Sequence, residues 1–343
     1  MLGRLAVTVS ISSLSDLRML LGALPGPDAA ALEAWAARDP QLTKPPGALG
    51  RLEEISRWLA AWQGRHPARV ETPRARVFAG NHGVAALGVS AFPAEVTVQM
   101  VKNFERGGAA INQLCHSFGI ELAVIALELD RPSADFTRAP ALTEAEFVTA
   151  FNAGAAAVPA ATDVLVLGEM GIGNTTPAAA IPCALYGGEA ALWTGRGTGV
   201  DGAALVKKTE VVAAGVARHG GKDPLDILRC LGGRELVAIA GAVVAARLRR
   251  VPVLLDGYVC TAAVAPLAAA QPGALDHCLV AHASAEPGHR ILMDRLGKAP
   301  LLDLGMRLGE ASGAALAVEL VKAAAACHAG MATFAEAGVS DKD

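Results

Sequence analysis

A glutamate in a glycine-rich turn is the first feature of this sequence that could carry out chemistry. Residues 168–177 read GEMGIGNTTP and follow an apolar run. The pattern predicts a strand, a turn and a helix that Thr176 caps. Free backbone N–H groups at such a helix start bind phosphate, and Gly171 and Gly173 allow a ligand to approach closely. Glu169 would then act on another part of the ligand, although an ordinary strand-to-helix turn is the alternative interpretation.

A second glutamate, Glu310, is surrounded by small and apolar residues, since 307–316 read RLGEASGAAL. If folding buries this side chain, desolvation raises its pKa toward neutrality, as a general base or acid at pH 7 requires. From the residues alone, an exposed glutamate at a helix start remains the favoured interpretation, because the helix dipole stabilises a carboxylate there.

Three further motifs also follow apolar runs. The loop 194–199, TGRGTG, can wrap a ribose or a phosphate, and Lys208 follows on the next predicted helix. Its glycine spacing does not fit the dinucleotide-binding fingerprint. His82 lies between glycines and Asp256 precedes one, so both could face a ligand at a strand end. A plain loop, a solvated histidine and an Asp-Gly turn are the structural alternatives.

A cluster of side chains near residue 280 could in principle hold a metal. Its members are His277, Cys278, His282, Ser284, Glu286 and His289. Their spacing matches no tetrahedral zinc pattern, so we expect no metal and interpret the segment as a loop that leads into a helix. The sequence contains no Gly-x-Ser-x-Gly elbow and no phosphate-loop motif, which disfavours acyl-transfer triads and phosphate-loop NTPases.

Composition and charge exclude several classes of partner. The net charge of −3 provides no electrostatic footprint for nucleic acid or for an anionic membrane. The six cysteines are widely spaced, as in proteins of a reducing compartment, so we expect a cytoplasmic protein. The longest uncharged runs are interrupted by proline and glycine, which indicates buried elements and not membrane spans.

The elements that position these motifs alternate between strands and helices. The chain has 343 residues, 52% of them hydrophobic but only 4% aromatic, so small residues must fill the core. Apolar runs predict about six strands, at 75–79, 122–127, 164–167, 190–193, 251–255 and 278–281, with helices such as 94–118 and 235–247 between them. Strands that are apolar throughout predict a Rossmann-like α/β fold, a parallel sheet with helices on both faces.

The two ends of the chain are predicted to be helical. Asp28 can cap a helix over 29–38, a second helix covers 49–62, and helical sequence returns from 306 to 336. We therefore expect a small helical domain formed by 1–70 with 306–343, beside a nucleotide-binding α/β domain of 71–305. In such a sheet, ligands bind beyond the carboxyl ends of the strands, where the motifs above lie.

The residues by themselves indicate an α/β enzyme that binds a phosphorylated small molecule. Two other functions stay open at this point. One is a nicotinamide-dinucleotide oxidoreductase, suggested by the predicted fold and the glycine-rich turns. The other is a non-catalytic sensor that binds a mononucleotide and uses Glu310 only structurally.

The ordered set of motifs resembles one known family, the nicotinate-nucleotide:dimethylbenzimidazole phosphoribosyltransferases of cobalamin nucleotide-loop assembly. The resemblance extends from residue 42 to about residue 326. It is carried by KPPGALGRLE at 44–53, HGV at 82–84, GEMGIGNTTP at 168–177, LLDG at 254–257, SAE at 284–286 and MRLGE at 306–310.

This resemblance implies a reaction in which 5,6-dimethylbenzimidazole displaces nicotinate from nicotinate mononucleotide. Glu310 corresponds to the family's catalytic base, and Glu169 is the candidate for stabilising positive charge on the ribose. The implied substrate-binding residues are His82, Gly171, Gly173, Asn174, Thr175, Thr176, Gly195, Gly197, Lys208, Asp256, Ser284 and Leu308. The resemblance further implies no cofactor, no metal and a homodimer.

Overall fold

The computed structural model describes residues 9–340 and contains one parallel β-sheet with helices on both faces. Its five strands are β1 (Pro73–Ala79), β2 (Glu121–Ala126), β3 (Val164–Met170), β4 (Val253–Leu255) and β5 (Cys278–Val280). They are ordered β2-β1-β3-β4-β5 across the sheet. The predicted α/β class with a parallel sheet is thus confirmed, with five strands in place of about six.

Fifteen α-helices lie within the described part of the chain. They are α1 (Leu14–Gly22), α2 (Ala29–Arg38), α3 (Arg51–Gln63), α4 (Glu95–Glu105), α5 (Ala110–Phe118), α6 (Glu144–Ala156), α7 (Thr175–Tyr186), α8 (Ala190–Trp193), α9 (Gly202–His219), α10 (Pro224–Leu231), α11 (Arg234–Leu248), α12 (Tyr258–Ala270), α13 (Pro287–Leu296), α14 (Ser312–Gly330) and α15 (Phe334–Ala337). Short 3₁₀ turns occupy Asp39–Gln41 and Gly83–Leu87.

The predicted strand at 190–193 is wrong, because these residues form the single-turn helix α8. Alanine and leucine favour a helix when no neighbouring strand is available to pair with them. The Trp193 side chain then folds back and donates its indole N–H to the carbonyl of Gly187. The predicted continuous helix over 94–118 is also wrong: the chain breaks between α4 and α5 at Gly107, where φ is +79°.

Alternate side chains of the central strands pack on opposite faces of the sheet. Leu165 and Leu167 of β3 join a core formed with α6, α7, α11 and α12, whereas Val164 and Val166 join a core formed with α3, α5 and α14. The sheet is therefore buried on both sides, which accounts for strands that are apolar throughout.

The α6 and α11 helices approach closely on one face of the sheet. A Cβ atom on Gly154 would overlap the backbone carbonyl of Ala238, and one on Gly241 would overlap the carbonyl of Phe151. Each helix thus uses a glycine where the other helix presents its backbone. This pair of contacts fixes the position of α11, whose first turn lies beside the candidate site.

The terminal helices pack on both faces of the sheet. Helices α2, α3 and α14 contact one another, and α3 and α14 join the core that contains Val164 and Val166. Helix α1 packs on the opposite face, where the backbone of Ile11 exchanges hydrogen bonds with Asn152 of α6. The division into a helical domain of 1–70 with 306–343 and a domain of 71–305 stays a prediction, and its residues 1–8 and 341–343 lie outside the described residues.

All six cysteines are free thiols, and Cys327 is the one that is partly exposed. Within residues 9–340, no helix is both long enough and apolar enough to cross a membrane.

The strand order places the ligand-binding motifs at one edge of the sheet. Chain connections run outward from β1 and β3 in opposite directions, which creates a crevice at the carboxyl ends of these neighbouring strands. Residues that follow β3, β4 and β5 also emerge at this edge because all the strands are parallel.

The close contact between α6 and α11 can be tested by adding one methyl group. We expect Gly154→Ala to destabilise the protein by about 3 kcal/mol, because the new Cβ must displace backbone and not a flexible side chain. Urea unfolding followed by circular dichroism measures this change. Gly22→Ala is the matched control, since nothing lies within 4 Å of its Cβ position. Equal stability of the two variants would contradict the described packing.

Candidate active site

A cavity of about 450 Å³ opens at the carboxyl edge of the sheet. Its wall comes from the end of β3, from the segments that follow β3, β4 and β5, and from the segments before α4, α9 and α14. The lining residues are Phe92, Glu169, Met170, Gly171, Ile172, Asn174, Thr175, Gly197, Thr198, Gly257, Tyr258, Val259, His282, Ser284, Glu286, Arg307, Leu308 and Gly309.

Glu310 lies immediately behind this lining, in an unusual backbone conformation. Glu310 and Ala311 have φ values of +61° and +68°, in the left-handed region that side chains other than glycine rarely adopt. The Asp256 carboxylate stabilises this turn by accepting hydrogen bonds from the backbone N–H groups of Ala311 at 3.1 Å and Ala314 at 2.9 Å. Asp256 therefore sets the direction in which the Glu310 backbone presents its side chain.

The environment of Glu310 disfavours its charged form. The residue is only 6% exposed. Burial raises the pKa of Glu310 from 4.5 to about 7, and the negative charge of Asp256 adds to the rise. A carboxyl group that titrates near neutral pH can accept a proton from a substrate and release it again. Burial, which the sequence left open, thus favours the general-base interpretation over an exposed glutamate at a helix start.

Glu169 is the second buried carboxyl group of the site. Its side chain accepts a hydrogen bond from the Asn174 amide and packs against the backbone of Gly309. Burial raises the pKa of Glu169 to about 8; the Asn174 hydrogen bond opposes this rise, and the carboxylates of Glu235, Asp256 and Glu310 add to it. A positive charge that develops in the cavity would favour ionisation of both glutamates.

The turn between β3 and α7 differs in one detail from the expectation. Helix α7 begins at Thr175, and the predicted cap Thr176 is its second residue, fully buried, with its hydroxyl unpartnered among the described residues. Asn174 precedes the helix, but its amide is engaged by Glu169 and does not cap. Thr175, the first residue of α7, therefore lines the cavity where Thr176 does not.

Buried charges hold the glycine loop before α9. The Lys208 ammonium group donates to Thr175 Oγ1 at 2.7 Å and to the carbonyl of Gly195 at 2.9 Å. Burial lowers the pKa of Lys208 to about 8, and the Glu286 carboxylate partly offsets this fall. Glu286 in turn accepts the N–H of Gly197 at 2.9 Å. The loop is thus held by hydrogen bonds to one cationic side chain, Lys208, and to one anionic side chain, Glu286.

His82 does not line the cavity in the described structure. It lies behind Gly171, buried against the fully buried Glu235 at the start of α11, with its Nε2 hydrogen-bonded to Glu235 Oε1. Sequence reasoning missed Glu235. The sequence signal that could have indicated Glu235 is the pair of glycines shortly before it, because Gly233 leaves the space that the His82 ring occupies.

Two of the histidines near residue 280 are engaged by the protein itself, whereas His282 lines the cavity with its Nε2 3.5 Å from Asp256 Oδ1. His289 Nδ1 accepts the N–H of Ser284 at 2.9 Å, while its Nε2 lies 3.0 Å from Thr261 Oγ1, so His289 orients Ser284 at the cavity wall. His277 Nε2 lies 3.0 Å from the carbonyl oxygen of Val243, away from the lining. Between residues 9 and 340, no group of three or more His, Cys, Asp or Glu side chains has a geometry that could hold a metal ion.

The structure brings the predicted site residues together in two layers. Those on the cavity wall are Glu169, Gly171, Asn174, Thr175, Gly197, Ser284 and Leu308. Those behind the wall, bonded or packed against it, are His82, Gly173, Thr176, Gly195, Lys208, Asp256 and Glu310. The wall residues that sequence reasoning did not single out include Phe92, Tyr258 and Arg307.

Comparison with known proteins identifies close relatives along nearly the whole chain. Residues 24–339 match a family model described as a phosphoribosyltransferase. The nicotinate-nucleotide–dimethylbenzimidazole phosphoribosyltransferase of Ruegeria pomeroyi is 63% identical over 332 residues, 97% of this chain and 99% of that protein. The protein of the same name from Rhizobium meliloti strain 1021 is 59% identical over 96% of this chain and 97% of its own length. A crystal structure of CobT from Thermus thermophilus is 42% identical, with a TM-score of 0.85, and covers 91% of this chain and 100% of that one.

The burial of Glu310 leads to a pH-dependent stability prediction. Because the pKa of Glu310 is about 7 in the folded chain and about 4.5 when exposed, the folded state holds the proton more tightly between these pH values. The free energy of unfolding contributed by this group therefore falls as pH rises from 4.5 to 7. We expect the free energy of unfolding of Glu310→Gln, relative to that of wild type, to increase by about 2–3 kcal/mol when the pH rises from 4.5 to 8.

Urea unfolding of both proteins at the two pH values measures this gain. Glu54→Gln, which changes an exposed glutamate on α3, is the control and should show no comparable gain. A Glu310→Gln variant whose stability relative to wild type is the same at both pH values would contradict the described burial.

Proposed function

The chain belongs to the phosphoribosyltransferase family, and we propose that it transfers the phosphoribosyl group of nicotinate mononucleotide to 5,6-dimethylbenzimidazole. The products are α-ribazole 5′-phosphate and nicotinate, and the reaction belongs to cobalamin biosynthesis. One observation supports this function most directly: a buried carboxyl group with a pKa near 7, Glu310, lies behind a cavity whose wall also contains a helix start suited to a phosphate.

The proposed chemistry is a displacement at the anomeric carbon of the ribose. One ring nitrogen of the benzimidazole forms a bond to this carbon as the bond to the nicotinate nitrogen breaks, with inversion of configuration. The bonding electron pair returns to the nicotinate ring, which leaves neutral at nitrogen and needs no proton. The second benzimidazole nitrogen loses its proton to Glu310. A carboxyl group with a pKa near 7 is suited to this step at neutral pH.

Glu169 is the residue that we propose stabilises positive charge on the ribose during this displacement. It lines the cavity and lies close to the Glu310 turn through its contact with Gly309. The pKa of Glu169 is raised mainly by burial, so a cationic group that enters the cavity reduces the cost of ionising it. An oxocarbenium-like transition state is such a group, and its charge is largest when the old and new bonds are both weak.

The phosphate of the nucleotide is proposed to lie at the start of α7. Thr175 and Gly197 meet there, and Ser284 lies on the same cavity wall. Lys208 donates to Thr175 from beneath and so places a positive charge under this part of the wall. Asn174, Gly171, Gly173 and Thr176 contribute by shaping this turn.

The two alternative functions predict different outcomes. An oxidoreductase would bind a dinucleotide tightly, but the glycine loop at 194–199 lacks the required spacing, and the relatives are transferases. A non-catalytic sensor would bind the mononucleotide without releasing nicotinate. We also propose that the protein is cytoplasmic and acts as a homodimer.

The proposed reaction predicts nicotinate release that depends on the acceptor base. Wild-type protein should convert nicotinate mononucleotide to nicotinate and α-ribazole 5′-phosphate only when 5,6-dimethylbenzimidazole is present, with a rate that rises with pH near 7. Glu310→Gln should fold but turn over about 100- to 10,000-fold more slowly, because it cannot accept the proton.

Chromatographic separation of both products measures this reaction, and Glu54→Gln should retain wild-type turnover. Wild-type-like turnover by Glu310→Gln would reject Glu310 as the base. Binding of the mononucleotide without nicotinate release, with adenine and phenols also inactive as acceptors, would favour the sensor.

The proposed homodimer predicts a defined mass in solution. Size-exclusion chromatography with light scattering should give about 70 kDa, twice the 34.9 kDa of one chain. A single species of one-chain mass across micromolar concentrations would contradict the dimer without affecting the proposed reaction.

A further inference from the structure

Arg307 lies on the cavity wall and has no part in the displacement described above. It is the only lysine or arginine among the lining residues of the described chain, which also include two glutamates, Glu169 and Glu286. The proposed substrate carries a phosphate and a carboxylate. A cavity that binds such a substrate needs positive charge that can contact it directly.

The guanidinium group of Arg307 is fixed at one end and available at the other. Its Nη1 donates to the carbonyl oxygen of Gly197 at 2.9 Å, and this is its only hydrogen bond or ion pair with residues 9–340. A guanidinium group has five N–H donors, so the others remain for a ligand. One hydrogen bond to the backbone also limits the directions in which the planar group can point.

The contact at Gly197 places Arg307 next to the anion-binding end of the cavity. A Cβ atom on Gly197 would lie 2.5 Å from Thr175 Oγ1 and 2.8 Å from Lys208 Nζ. Gly197 lies beside Thr175, the first residue of α7. It therefore separates two cationic groups: Lys208 lies beneath the loop, and Arg307 lies at the cavity. Lys208 is fully buried and donates to protein oxygens, so its charge acts through the loop.

We propose that Arg307 binds the 5′-phosphate of the nucleotide and makes the enzyme selective for phosphorylated over unphosphorylated nucleosides. This inference rests on the proposed function. A phosphate carries about two negative charges at neutral pH and accepts paired hydrogen bonds from a guanidinium fork. It is therefore the group best stabilised where a helix start, a buried ammonium and an exposed guanidinium meet.

Product binding separates the phosphate from the rest of the ligand. Isothermal titration calorimetry with α-ribazole 5′-phosphate and with α-ribazole tests wild type, Arg307→Gln and Arg307→Lys. We expect Arg307→Gln to weaken binding of the phosphorylated product about 10- to 100-fold and to leave α-ribazole binding unchanged. Arg307→Lys, which keeps the charge but loses the fork, should recover part of the loss.

Two controls exclude indirect effects. Arg290→Gln removes an exposed arginine that pairs with Asp303 outside the cavity lining, and it should bind both products like wild type. Urea unfolding should show equal stability for wild type and Arg307→Gln, because the Arg307 side chain is exposed and bonds one loop carbonyl.

Three results would overturn the inference. Equal weakening of both products by Arg307→Gln would mean that the residue shapes the cavity and does not read the phosphate. Unchanged binding of both would mean that it does not contact the ligand. Weakened inhibition by free nicotinate, with unchanged α-ribazole 5′-phosphate binding, would assign Arg307 to the nicotinate carboxylate. Absence of base-dependent nicotinate release in wild type would instead reject the proposed function, and the inference with it.

Discussion

The geometry of the candidate site depends on one buried carboxylate, that of Asp256 at the end of β4. Its two oxygens accept the backbone N–H groups of Ala311 and Ala314, and so join the sheet to the first turn of α14. These bonds hold Glu310 and Ala311 in left-handed conformations that each cost about 1–3 kcal/mol in a non-glycine residue. Gly168 in β3 is required as well, because a Cβ there would overlap the backbone of Ala311.

The same carboxylate contributes to the electrostatics of the cavity. The carboxylates of Asp256, Glu235 and Glu310 add to the rise in the pKa of Glu169, and Asp256 adds to the rise in the pKa of Glu310. Lys208 lies behind the wall at the α7 start, where its ammonium group donates to Thr175. The cavity thus combines carboxyl groups suited to developing positive charge with a helix start and a buried ammonium group suited to an anion. The proposed substrate requires both, since it carries a phosphate and forms positive charge at its ribose.

Much of the fold could be predicted from local pattern. Apolar runs with β-branched residues identified β1, β2, β3, β4 and β5, and all of these except the edge strand β2 are largely buried. The wrong predictions concern segments whose residues have no strong preference for a strand or for an unbroken helix. The segment Ala190–Trp193 has no strand beside it and forms a helical turn, and Gly107 interrupts a run whose periodicity continues on both sides. Pairing and chain breaks of this kind depend on distant neighbours, which a local pattern does not contain.

The sequence by itself determined which motifs follow strands, and in a parallel sheet this places them at a common edge. It therefore identified Glu169, Gly171 and Gly197, while the family resemblance added Asn174, Thr175 and Ser284; all six line the cavity. Only the tertiary structure decided that Glu310 is buried, that His82 lies behind the wall with Glu235, and that Arg307 faces the ligand space. The physical reason is that burial and charge environment arise from segments far apart in the chain. Asp256 and Ala311 are 55 residues apart, and His82 and Glu235 are 153 apart, yet these contacts fix what each group can do.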